Sequence, residues 1–168
     1  MIDTLARDGT TCPFCAITSG ALTPEVVAYR DQNTAAFPSR HQQPRNQGHM
    51  LVVPVNRLAQ IYDIDGVLAG ALMTTVARVA RALKNACAAD GVSVRQNNEE
   101  HGGQDVFHVH FHVIPRFAED GFNTGETRFP FGMVEVPLSE RVKQAAVLRD
   151  ALALPLLPGL ESARSSQD

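Results

Sequence analysis

Residues 104–115 read Gln104-Asp105-Val106-Phe107-His108-Val109-His110-Phe111-His112-Val113-Ile114-Pro115, and no other stretch restricts the fold as much. Successive side chains of an extended strand point to opposite faces. The alternation therefore predicts one strand with His108, His110 and His112 on one face and Val109, Phe111 and Val113 on the other. The apolar face needs a core to pack against. The other face gathers half of the chain's six histidines, more than packing alone would place there. Two chemistries suit such a face. Neutral imidazoles bind transition metals, but on a flat strand His108 and His112 lie about 13 Å apart, so one ion could take only an adjacent pair plus a ligand from elsewhere, for which His49 is available. Alternatively, one imidazole attacks a phosphorus centre as a nucleophile. That chemistry needs a partner to fix the tautomer and donors for the phosphoryl oxygens. His110 is central, Asn97 and Gln104 carry amides, and Gly102-Gly103 can expose backbone N–H groups.

The rest of the chain predicts further strands and two helices. Cys12-Pro13-Phe14-Cys15 is either half of a tetrahedral metal site or a first helical turn begun by Pro13. Residues 25–30 and 34–37 predict two strands joined by a turn at Asp31-Gln32-Asn33. The stretch Ser39 to Gly48 has no periodicity and predicts a loop, and Gly48-His49-Met50-Leu51-Val52-Val53-Pro54 predicts a buried strand. A long helix follows, capped by Asp63 or Asp65 and ended by Gly91, with Leu68, Leu72, Val76, Val79, Leu83 and Cys87 as its apolar stripe. Residues 92–97 predict another strand, 121–131 a polar and aromatic loop, and about 139–153 a final helix capped by Ser139 and stopped by Pro155. Residues 1–11 and 162–168 lack pattern.

The length of 168 residues suits a single domain, 1–168, with a core at about 12–117 and a C-terminal extension. A net charge of -3 argues against a long nucleic acid as partner, since that needs a basic surface. No uninterrupted apolar run reaches the roughly 20 residues of a membrane span, and three cysteines do not make a disulfide framework. These features point to a cytoplasmic protein without a membrane partner.

The run from Gly102-Gly103-Gln104 to Ile114, with Gly48 to Pro54 upstream and Cys12-Pro13-Phe14-Cys15 at the start, resembles the histidine triad (HIT) family of nucleotide hydrolases and transferases. The resemblance covers about Cys12 to Pro115. It implies an α+β fold with a five-stranded antiparallel sheet, one long helix and a C-terminal helix, a homodimer, and purine nucleotide substrates, phosphoramidates or dinucleoside polyphosphates, cleaved at the α-phosphate without a catalytic metal. It assigns His110 as nucleophile, His108, His112 and His49 as supporting histidines, Asn97 and Gln104 as phosphate-binding amides, and Phe14, Ile17 and Phe37 as the base pocket. It also implies structural zinc on Cys12, Cys15, His108 and a histidine shortly after the Val-x-Pro strand. That last position reads Val55-Asn56-Arg57, so the ligand set lacks its fourth member. Two further departures bear on activity. Pro38-Ser39-Arg40 stands where the family often has a ribose-binding aspartate, and Asp105 where it usually has Ser or Thr. A carboxylate at 105 repels a phosphate unless protonated or turned away. The rival function is a nucleotide-binding regulatory protein with little turnover, and a mononuclear metal protein stands third.

Overall fold

The computed structural model describes residues 12–122 and 132–153. The expectations for residues 1–11, most of 121–131, Pro155 and 162–168 fall outside them. Five strands form one antiparallel sheet in the order β1-β2-β4-β6-β5: β1 Tyr29–Arg30, β2 Thr34–Pro38, β4 Met50–Pro54, β5 Gly91–Gln96 and β6 Phe111–Arg116. A separate two-stranded ribbon pairs β3, His41–Gln42, with β7, Val134–Glu135. Three helices complete the fold: α1 Pro13–Thr18, α2 Gly66–Ala86 and α3 Leu138–Ala153. The α+β class, the five-stranded sheet, the long helix and the C-terminal helix are as the sequence predicts.

The alternation along the strands divides the interior in two. Met50 and Val52 of β4 and Phe111 and Val113 of β6 pack with Leu72, Val76, Val79 and Leu83 of α2 and Ala145 and Leu148 of α3. Leu51 and Val53 point the other way, into a second cluster with Cys12, Phe14, Cys15 and Ile17 from the α1 segment and Phe37 from β2. Helix α2 begins where Asp65 accepts a hydrogen bond from the Leu68 amide, satisfying one of the free N–H groups of the first turn. It is apolar and long enough, at 21 residues, to span a bilayer by composition alone. Here its stripe packs on the sheet, and each buried Leu or Val contributes about 1.5–3 kcal/mol.

Several boundaries differ from the sequence reading. Residues 24–26 form a 3-10 turn instead of opening the first strand, because Pro24 lacks an N–H for a ladder and its fixed φ suits the first position of a helical turn. Helix α2 stops at Ala86 and the chain reverses through Ala88 at φ 50, so Gly91 starts β5 and does not end the helix. Ser139 lies inside the first turn of α3, which begins at Leu138. The histidine stretch is only half strand. β6 starts at Phe111, and residues before it run irregularly, with the Val109 amide bonded to the Leu58 carbonyl. The alternation persists all the same, since Val109 lies in the helix-side core.

The stretch 39–48 is not a plain loop. Gln42 donates to the Ser39 carbonyl at 3.0 Å and to Gln144 of α3 at 2.8 Å, and its Oε1 accepts from the Gly48 amide at 2.9 Å. Asn46 donates to the Pro115 carbonyl and to Asp120, each at 2.8 Å. Buried amides thus fix a segment that has no hydrophobic periodicity.

Candidate active site

His49, His108, His110 and His112 are all buried on the sheet face opposite α2. Strand register places them there. Leu51 pairs with His112, so His49 and His112 sit diagonally on the same face and meet at 3.0 Å, Nε2 to Nδ1. The rings of His110 and His112 lie 4.8 Å apart, edge to face.

Backbone carbonyls assign the tautomers, because a carbonyl only accepts. His110 Nδ1 lies 2.8 Å from the His108 carbonyl. It therefore carries the proton, and Nε2 keeps a bare lone pair. His108 Nε2 lies 2.8 Å from the Pro54 carbonyl, which leaves its Nδ1 bare and facing Cys12 Sγ at 3.4 Å and Cys15 Sγ at 3.5 Å. His49 bonds to the backbone of His41, by elimination through Nδ1–H, so its Nε2 accepts from His112 Nδ1–H. In that tautomer His112 Nε2 carries no proton. Burial keeps all four rings neutral. It pushes His49 down to about 3, opposed by its His41 bond and reinforced by His110, and His108 to about 4 against the pull of the Pro54 carbonyl. His112 falls to about 2 through burial first, then the neighbouring His49, His110 and Arg95. His110 is also lowered, mainly by burial, although the His108 carbonyl and Asp105 oppose the shift.

The remaining predicted residues divide. Phe14, Ile17 and Phe37 share one cluster, and the Phe14 ring stands 5.6 Å from Phe37 and 5.2 Å from His110. They pack as core against the histidines. A cavity of about 210 Å³ lies instead on the other side of the sheet, between α2 and α3, lined by Met50, Leu83, Cys87 and Leu148 among others, and its apolar walls hold none of the histidines. Asn97 continues β5 just beyond the Gln96–Phe111 pair, which sets it level with His110, and makes only a long 3.4 Å bond to the Gly103 carbonyl. Gln104 corrects the sequence expectation. Its Oε1 accepts from the Glu99 amide at 2.7 Å, and its Nε2 donates to the carbonyls of Ala59 at 2.7 Å and Val106 at 3.1 Å. With both N–H donors bonded to carbonyls, this amide shapes the loop and does not reach a phosphate. The paired glycines shape it too. A Cβ on Gly102 would fall 2.0 Å from the Asn98 carbonyl oxygen, and Gly103 sits at φ +85.

Asp105 is not turned away. Its Oδ1 lies 3.8 Å from His110 Nε2, and its side chain is 85% exposed. Ser39, at the expected ribose position, is buried with its hydroxyl on the His41 carbonyl at 2.8 Å, the group that also holds His49. Two arginines without an assigned role in the sequence reading stand beside the histidines. Arg57 donates Nε–H to the Phe107 carbonyl at 2.8 Å and bears on His108. Arg95 lies directly opposite His112 across the β5–β6 ladder, on the histidine face. Neither carries a motif, and only strand register or loop packing reveals them.

Cys12, Cys15 and His108 bring three ligand atoms within 4.8 Å of one another, all buried. Two sulfurs and a bare imidazole nitrogen fit the donor preference of zinc, and among the described residues no fourth donor of this kind joins them. Arg57, always cationic and without a lone pair to offer, cannot complete the set.

The HIT domain model matches residues 22–119. Protein hit of Bacillus subtilis is 36% identical over 112 residues, 66% of this chain and 75% of that protein. The adenosine 5'-monophosphoramidase HNT1 of Saccharomyces cerevisiae is 33% identical over 108 residues, 64% of each chain. Among solved structures, a Zn-bound histidine triad family protein from Mycobacterium smegmatis superposes with a TM-score of 0.69 at 31% identity, over 90% of this chain and 96% of that one. The family match spans more than half of the sequence and agrees with the sheet order and the clustered histidines: the chain belongs to the HIT domain family.

Proposed function

We propose that this protein is a nucleotidyl hydrolase or transferase that cleaves at the α-phosphate of a purine nucleoside phosphoramidate or dinucleoside polyphosphate. The observation that carries this reading is the His110 ring, with its Nδ1–H held by the His108 carbonyl and its bare Nε2 beside the exposed Asp105. In the first step the Nε2 lone pair forms a bond to phosphorus, the P–N or P–O bond to the leaving group breaks, and the leaving group keeps that electron pair and takes a proton from solvent water. The nucleotidyl-imidazole retains Nδ1–H and is cationic, so the His108 carbonyl stabilises it. Water or another acceptor then attacks phosphorus, releases a proton, and returns the electron pair to Nε2. His112, held by His49, sets its ring 4.8 Å from that of His110, centroid to centroid, and supports the nucleophile from that side. The naming of two yeast relatives as adenosine 5'-monophosphoramidases supports this chemistry.

The reading routes no step through a metal. Zinc on Cys12, Cys15 and His108 would tie α1 to the segment that anchors the nucleophile. The family's dimeric habit extends the proposal to a homodimer, which light scattering tests. Turnover is tested by AMP release from adenosine 5'-phosphoramidate and diadenosine triphosphate. His110→Ala should lower kcat about 10⁴-fold. An unchanged rate removes His110 as nucleophile. Tight nucleotide binding without turnover in the wild type favours the regulatory reading, for which the carboxylate of Asp105 near Nε2 is the specific observation.

A further inference from the structure

Two opposite charges flank the histidines, and neither takes part in the bond changes at phosphorus. Asp105 presents an exposed carboxylate 3.8 Å from His110 Nε2. A hydrogen bond from the Val106 amide at 2.9 Å holds the same oxygen. At the His112 end, Arg95 pairs across the ladder with His112. Residues directly opposite in an antiparallel pair project to the same face, so a permanent cation stands on the side of the site away from Asp105.

We propose that Asp105 and Arg95 sort substrates by charge, favouring α-phosphates that carry a cationic leaving amine over those whose leaving group is a polyanion. This rests on the nucleotidyl-transfer reading of His110 and names the substrate class within it. A phosphorus centre seated against Nε2 lies within a phosphate's width of the carboxylate. An ammonium group attached next to that phosphorus offsets the carboxylate, whereas a polyphosphate adds to the repulsion. Arg95 gives the non-bridging oxygens a counter-charge at the other end and thereby sets the direction in which the substrate lies. Both residues are specificity groups, and neither forms a covalent bond.

The test uses three substrates: the adenosine 5'-phosphoramidates of diaminopropane and of butylamine, nearly equal in size and differing by one ammonium, and diadenosine triphosphate. The wild type should prefer the diaminopropane compound by about tenfold in kcat/KM. The preference should shrink as salt rises from about 50 mM to about 500 mM, because exposed charges are screened. Asp105→Asn should abolish the preference and raise kcat/KM for diadenosine triphosphate by about tenfold. Arg95→Gln should raise KM for all three and leave the ammonium preference in place. Equal rates on the two amidates in wild type, or a preference that survives in Asp105→Asn, overturns the proposal. If neither wild type nor Asp105→Asn releases AMP from any of the three, the nucleotidyl-transfer reading itself fails. Turnover without charge preference overturns only the sorting.

Discussion

The two faces of the β4–β6 pair have the same backbone and opposite contents. On one face Met50, Val52, Phe111 and Val113 meet α2 and α3. On the other, His49 and His112 touch, with His110 and His108 beside them. The helix face is stabilised by apolar area, which is non-directional. The histidine face has polar atoms in a buried place and tolerates them because carbonyls of His41, Pro54 and His108 accept hydrogen bonds from the ring N–H groups. Stability and chemistry are thus assigned to opposite sides of the same strands, and substitutions on the two sides should have different signatures.

The largest stability effect belongs to the helix face. Leu72 is fully buried in α2, and Leu72→Ala should cost about 2–5 kcal/mol in urea unfolding while leaving kcat unchanged well below the melting temperature. A comparable loss of kcat would mean that the faces are coupled. Gly102→Ala tests the other side. Its Cβ would collide with the Asn98 carbonyl, forcing the loop that Gln104 anchors to shift, and kcat should drop about tenfold, about 1.4 kcal/mol of activation free energy, with a smaller change in stability. Unaltered kcat would separate this loop from the site.

The third effect is a slope, absent at neutral pH. His49 titrates near 3 in the folded chain against 6.5 when unfolded. Below pH 6.5 the unfolded state therefore binds the proton and the folded state does not, so stability falls as pH drops from about 6.5 towards about 3. Each such histidine contributes up to about 1.4 kcal/mol per pH unit. His49→Gln should remove one proton's worth of this slope in unfolding measured between pH 7 and 4. An unchanged slope would show that His49 is not buried neutral.

Much of this was legible in the sequence because it depends on period. Alternation at 108–113 gave the two faces even where the regular ladder has not begun, and the stripe from Leu72 to Leu83 gave α2. What stayed hidden depends on pairing across distance. Gln104 looked like a free amide because its partner, the Ala59 carbonyl, is 45 residues away in the chain. Residues 39–48 looked unstructured because Gln42 and Asn46 find their partners in α3 and at Pro115. Arg95 gained meaning only when the register set it opposite His112.

In the proposed reaction His110 Nε2 carries the nucleotidyl group. Mixing the protein with adenosine 5'-phosphoramidate, quenching in alkali within the first turnover and measuring intact mass tests it directly. One adenylyl adduct per chain is expected, mapped to His110 by digestion and absent in His110→Ala. Steady release of AMP with no adduct, or an adduct that persists in His110→Ala, would contradict it.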